Sequence, residues 1–160
     1  MDIKIKQIQD NDLDDVLDMQ KQSFLKEYQE ERDTYKRKLD YYPEGNKLLT
    51  YDGQNAGYII SHPSCENHVH ELNKQEMSST GEENCMYLHD LAIHPEYRNK
   101  GLTHVLMEYF HSLTHKEGYK TQALVAVQNS KSFWEKHEFK SVKEIEYGGE
   151  KAYYMKRHAE

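Results

Sequence analysis

The chain is poor in several things, and each scarcity removes a class of protein. It holds only two cysteines, Cys65 and Cys85, both in one polar stretch. Two thiols cannot build the disulfide framework of a small secreted domain, and a reducing compartment follows. No apolar run of about 18 residues, the length a membrane helix needs, occurs anywhere. The opening MDIKIKQIQDND carries no apolar signal core, so a soluble, cytoplasmic protein with no membrane partner is expected. Basic residues are also in the minority, 21 Lys and Arg against 28 Asp and Glu, for a net charge of −7. That balance argues against nucleic-acid binding, which wants a basic patch, and suits a cationic or amine-bearing partner.

What is present fits one domain spanning residues 1–160. A chain of this size buries about 68–70% of its unfolded surface, enough for a real core. Ile3, Ile5 and Ile8 set up a first strand. Asn11-Asp12 offers a cap for a helix striped with Leu13, Val16, Leu17, Met19 and Phe24. Residues 26–40 are highly charged and predict a second helix on the surface, with a solvated face. Asp52-Gly53 between apolar runs predicts a hairpin. A polar stretch of roughly two dozen residues, 62–84, reads as a functional or disordered loop, being long for a compact domain. Residues 86–93 form a fourth strand, 102–116 a helix ended by Gly118, 123–127 a strand, 129–138 a short helix, and 139–147 and 151–157 two closing strands.

The most informative stretch is YLHDLAIHPEYRNKGLTHVL, residues 87–106. An apolar strand passes through a His-Pro turn into Arg98-Asn99-Lys100-Gly101-Leu102-Thr103, where an amphipathic helix opens. Unpaired N–H groups and the positive helix end make such a junction an anion site. Gly101 lets the backbone approach a ligand closely, and Arg98 and Lys100 add charge for phosphate oxygens. The physics points to a diphosphate at a helix N-terminus.

This stretch resembles motif A of the GNAT superfamily, the acyl-CoA-dependent N-acyltransferases. Their loop reads [R/Q]-x-x-G-x-[G/A]; Arg98 and Gly101 match two anchors, and Thr103 departs from the third. The order βααβββαβαββ is also the GNAT order. The resemblance implies an α/β (α+β) fold with a mixed central sheet of about six or seven strands, splayed between the fourth and fifth, and about four flanking helices. It implies acetyl-CoA as donor, with Leu91, Ala92 and Ile93 meeting the pantetheine arm, and residues 98–103, Asn99, Lys100 and Leu102 among them, holding the diphosphate. The segment 129–139 looks like a second family motif. There Asn129 matches a cofactor-binding Asn, with a helix N-cap as the plainer alternative. Trp134 stands where most members carry a Tyr that protonates the departing thiolate. Indole has only an N–H to donate, so it does not serve as that acid.

The run Leu88-His89-Asp90-Leu91-Ala92-Ile93-His94 is similar to the L-H-A-L-A-V-H run of arylalkylamine N-acetyltransferase. The likeness implies a proton-relay role for His89, with Tyr87 at the place of a second histidine; a hydrogen-bonded sheet histidine is the plainer reading. Alternation puts Tyr87, His89 and Leu91 on one face and Asp90 on the other, unless a bulge intervenes. Because the first two helices border the acceptor pocket in the family, Tyr28 and Tyr35 are candidates to line it. His104, Glu108, His111 and His115 imitate metal spacing on a helix but lie opposite its apolar stripe, while Cys65, His68 and His70 lack a second cysteine pair. No metal is expected. The chain thus reads as an N-acetyltransferase acting on a small-molecule or peptide amine, as a monomer or homodimer. The alternative is an acyl-CoA-binding regulatory or interaction module without turnover, for which Trp134 and Thr103 are the motive.

Overall fold

The computed structural model describes residues 1–72 and 82–158. Its elements follow in the order β1 (Ile3–Gln7), α1 (Leu13–Ser23), α2 (Arg32–Tyr41), β2 (Asn46–Tyr51), β3 (Gln54–Ser64), β4 (Cys85–Ile93), α3 (Leu102–Lys116), β5 (Thr121–Ala126), α4 (Lys131–Lys136), β6 (Lys140–Tyr147) and β7 (Glu150–His158). The strands form one seven-stranded sheet in the order β1-β2-β3-β4-β5-β7-β6. Only β4 and β5 run parallel; the other neighbours are antiparallel. The expected mixed α/β architecture is therefore present.

Period-two alternation divides the core between the two faces of the sheet. Leu48, Tyr58, Ile60 and Ala92 pack on one face against Leu13, Val16 and Met19 of α1 and Tyr35 and Leu39 of α2. Leu49, Ile59, Met86 and Leu88 pack on the other against Leu106, Phe110 and Leu113 of α3. The β2–β3 turn closes with Asp52 and Gly53 both at positive φ, 49° and 82°, the pairing that a tight hairpin requires.

Three expectations need correction. The segment 26–40 is not one solvated helix. It holds a short 3-10 turn at Lys26–Tyr28, a break, and then α2, whose Thr34, Tyr35, Lys38 and Leu39 are buried. Those four positions form a helical stripe that the surrounding charges obscure. The long loop begins later than expected, since β3 stays paired with β4 as far as Ser64 opposite Cys85; residues 73–81 lie outside the described residues. The helix expected over 129–138 is confined to α4, because Gln128 and Asn129 take positive φ values of 53° and 61° before it.

What positions the site is the β4–β5 pair. It is in register only over Met86–Leu88 against Gln122–Leu124. Beyond that point the strands part, and the β4 edge from His89 to Ile93 has no strand partner on that side among the described residues.

Candidate active site

The parting of β4 from β5 opens a cleft of about 560 Å³. One end reaches the start of α3 at Arg98, Asn99, Gly101, Leu102 and Thr103, and the other reaches Glu30, Tyr87, His89 and Tyr147. The side of β4 between them contributes Leu91, Ala92 and Ile93 to the wall.

β4 changes phase inside this wall. Ile60 pairs with Asp90 and Ser61 pairs with Leu88, so His89 is the extra residue of a β-bulge. The bulge corrects the simple alternation. Leu88 and Leu91 now both pack on the α3 face, and Ala92 packs on the other. His89 and Asp90 both turn toward α2 and the segment before it, where each meets polar partners.

His89 meets a pair of buried charges. Its Nε2 lies 2.5 Å from Glu30 Oε1 and 2.8 Å from Lys38 Nζ, and Lys38 Nζ donates to the same Glu30 oxygen at 2.8 Å. The three side chains are 3%, 2% and 4% exposed for His89, Glu30 and Lys38, so water does not screen them. His89 Nδ1 is buried without a hydrogen-bond partner among the described residues. Burial alone would raise the Glu30 carboxyl, but the charge and hydrogen bonds of His89 and Lys38 outweigh it and hold it well below the usual carboxylate range. Burial also pulls the Lys38 ammonium below its ordinary value, although Glu30 opposes the fall.

Asp90 anchors a second polar knot. Its Oδ2 accepts from the Tyr35 hydroxyl and, at 2.8 Å, from the Tyr58 hydroxyl. Burial pushes its carboxyl up, against the pull of those hydrogen bonds and of His89. Tyr35 is fully buried, bonds Gln20 as well, and stands behind the cleft wall. Tyr28, by contrast, lines the cleft. Gly148 of the β6–β7 turn lies close to it, since a Cβ there would come within 2.9 Å of Glu27 O and 3.2 Å of the Tyr28 ring. Tyr87 also lines the cleft, in ring contact with His62, His70 and His89 at 5.7, 4.8 and 6.0 Å.

At the opposite end, Gly101 is the N-cap residue of α3 in the left-handed conformation, φ 77°. A Cβ built there meets no protein atom within 4 Å. The backbone therefore faces open space at the positive end of a 15-residue helix, which fits a phosphate group. Asn99 and Thr103 line the same space. The Arg98 side chain is partly committed elsewhere: Nε donates to Ile93 O at 3.1 Å and Nη2 to Ser23 Oγ at 3.3 Å. Lys100 does not line the cleft; its ammonium lies over the Tyr51 ring at 5.4 Å.

The β5 side of the cleft holds Trp134, packed edge-on against Phe133 and Phe139 at 4.9 and 5.7 Å. Asn129 is exposed and lies outside the cleft, and the N-cap of α4 is Ser130 rather than Asn129. Gln128 reaches across the mouth, accepting from Leu25 N at 2.6 Å and donating to Ser23 O at 3.3 Å. With Arg98 also on Ser23, the end of α1 straps the two walls together. Tyr153 and Tyr154 lie away from the cleft, one beneath Lys131 and the other bonded to Asn67 N.

Glu30, Lys38 and Gln128 escaped the sequence reading. Lys38 carried a signal, its place on the stripe with Thr34, Tyr35 and Leu39; Glu30 and Gln128 sit outside regular elements and carried none. Among the described residues no three His, Cys, Asp or Glu side chains are grouped to hold a metal. His104 faces Glu108 at 3.8 Å, while His111 accepts from Gln122. Among the described residues Cys65 and Cys85 form no disulfide, and Cys65 Sγ donates to Glu82 O at 2.9 Å. No described helix is long and apolar enough to cross a membrane.

Solved structures share this architecture. The chain is similar to Ard1 from Thermoplasma volcanium, at 17% identity and a TM-score of 0.79, covering 100% of this chain and 99% of that one. It is similar to the loading GNATL domain of CurA from Lyngbya majuscula, at 14% identity and a TM-score of 0.82, with 99% and 98% covered. Naa50 from Arabidopsis thaliana, solved with the bisubstrate analogue CoA-Ac-MVNAL, matches at 15% identity and a TM-score of 0.75, with 98% and 99% covered. At such identities the likeness speaks for the fold. No curated protein matches the chain. The narrower likeness to arylalkylamine N-acetyltransferase is not shown by these matches. The profile of the Acetyltransferase (GNAT) family, however, matches residues 13–139, and on that match the chain belongs to the GNAT family of acetyltransferases.

Proposed function

We propose that the protein transfers an acetyl group from acetyl-CoA to a primary amine by direct attack. The observation that carries this reading is the continuity of the cleft, from the open backbone at Gly101, along the unpaired edge of β4, to the buried ionisable cluster at His89. Residues 98–103 would hold the diphosphate through N–H groups at the α3 N-terminus, with Asn99 and Thr103 close by. The backbone of Leu91, Ala92 and Ile93 would pair with the pantetheine amides as an added strand does. Ser130, which lines the cleft, suits the arm better than the exposed Asn129. Trp134 would close the wall beside the sulfur.

Acetyl-CoA supplies an activated thioester. The ammonium of the acceptor must first lose a proton, and the imidazole of His89, beside the cleft, would take it. The free amine then forms its C–N bond as the C–S bond breaks, and the second proton that the nitrogen sheds on becoming an amide is taken up by the departing thiolate. With an ordinary thiol pKa of about 8.5, the thiolate leaves without a dedicated acid, in keeping with an indole at 134. Tyr28 and Tyr87 would border the acceptor, with Tyr35 acting from behind through Asp90.

The test is a thiol-release screen with acetyl-CoA across small amines and peptide N-termini, with mass spectrometry of the products. Thiol released together with an acetylated amine supports the reading. Tight binding of acetyl-CoA with no amine acetylated would support the regulatory module instead.

A further inference from the structure

Asp90 uses only half of its carboxyl group. Oδ2 accepts from the Tyr35 and Tyr58 hydroxyls, which fix the side chain from behind the cleft wall. Burial pushes the carboxyl up, and the two hydroxyl donors pull against it toward the ionised form. Oδ1 takes no hydrogen bond among the described residues. Unlike His89 Nδ1, it is not one of the buried atoms sealed off without a partner, so it keeps accessible surface. The residue is half-buried and lines the cleft on the stretch of β4 that β5 leaves unpaired. A fixed carboxylate oxygen with its lone pairs free suits a cation.

The charges nearby point the same way. Glu30 and Lys38 pair with each other. With His89 neutral, as a proton acceptor must be, two carboxylates stand against one ammonium, and the unbalanced charge is that of Asp90. Of the described residues that line the cleft, Arg98 is the one lysine or arginine. It sits at the diphosphate end, bonded to Ile93 and Ser23. The acceptor end therefore offers a negative charge and the rings of Tyr28, Tyr87 and Tyr147, with no lysine or arginine there to receive a carboxylate.

We propose that Asp90 Oδ1 binds the ammonium group of the acceptor, and that the acceptor carries no carboxylate beside that group. This deepens the proposed function and rests on it. An alkylamine or a peptide N-terminus meets the condition. A free α-amino acid does not, because its carboxylate would lie near Asp90 without a counter-charge. At a separation of about 5 Å and an effective dielectric of about 20, that repulsion amounts to about 10²-fold.

Binding is read without turnover, from the carbon-13 shift of the Asp90 carboxyl in labelled protein saturated with CoA, assigned through the backbone. At pH 7 the expected signal is that of a carboxylate, moved by butylammonium chloride and not by 1-butanol, with sodium chloride matching the ionic strength. A protonated carboxyl overturns the proposal, as does a signal that ignores the ammonium or follows the alcohol equally. Turnover reads the substrate class. Any amine that is acetylated should exceed its analogue with a carboxylate on the amine-bearing carbon by about 10²-fold in kcat/KM, and equal rates overturn the proposal. Asp90→Asn keeps an oxygen for the two tyrosines and removes the charge. It should raise the KM for the amine by about 10- to 150-fold, while the KM for acetyl-CoA stays within about threefold. An unchanged amine KM in the folded variant counts against Asp90 as decisively. Should no amine be acetylated, the proposed function fails, while the carboxyl shift still decides whether Asp90 holds an ammonium.

Discussion

Replacing Gly101 by valine separates what the phosphate loop does for the fold from what it does for the ligand. In the free protein the added side chain has room, since an ideal Cβ meets no protein atom within 4 Å. The cost there is the left-handed backbone, φ 77°, worth about 1–2 kcal/mol for a residue with a Cβ. For a domain of this size each kcal/mol moves the melting temperature by about 2–4 °C, so the free variant should melt about 2–8 °C lower. In the complex the same atoms occupy the space assigned to the diphosphate. Losing one charge-assisted hydrogen bond costs about 1.5–3 kcal/mol, about 10- to 150-fold in Kd. Gly53→Val is the control: φ is 82° and the space is again open, but in the β2–β3 turn away from the cleft. It should lose similar stability and bind normally. Calorimetric titration of both variants with acetyl-CoA, beside ligand-free melts, gives the comparison. A folded Gly101→Val protein that binds like the parent would refute the placement of the diphosphate.

Acetyl-CoA at a hundred times its Kd should stabilise the fold by about 2.7 kcal/mol, roughly 5–11 °C in melting temperature; CoA should do nearly as well, and no shift with either would contradict the cleft assignment. Acid should destabilise the protein early. Burial pushes His62 down to about 3 and His70 down to about 2. Both folded values lie below the ordinary 6.5, so from about pH 6.5 downward the unfolded chain binds two protons that the folded state refuses. Stability should then fall with pH at up to about 2.7 kcal/mol per unit, 1.36 for each histidine. Urea midpoints measured against pH would show it, and a flat profile between about pH 6 and pH 5 would not fit. Trp134 packs with Phe133 and Phe139, so Trp134→Phe should keep turnover within a few-fold. A gain of about a hundredfold in Trp134→Tyr would show a protein running without an acid, and a similar loss in the Phe variant would refute packing as its role.

The strand, glycine loop and helix across residues 87–116 were legible because each leaves a local mark: an apolar run, a breaker where φ turns positive, and a buried stripe. The site behind them was less so. A bulge inserts one residue without disturbing composition, so the alternation rule sent Asp90 to the wrong face. Lys38 and Glu30 looked solvated because charge along 26–40 was read as an average; they are buried because each supplies what the other and His89 lack. Such pairings join positions far apart in the chain, and no local pattern announces them. Arg98 lies in the loop before α3, but its Nε and Nη2 donate to Ile93 and Ser23, partners that only the fold brings near.

The most direct measurement of the central claim is the rate of thiol release by His89→Ala relative to the parent, followed from neutral to alkaline pH with one acetylated amine. If His89 takes the proton of the acceptor in this cleft, the loss should be large at neutral pH and shrink as the free amine becomes abundant in solution. A loss of the same size at every pH would contradict the account and leave His89 as a packing residue.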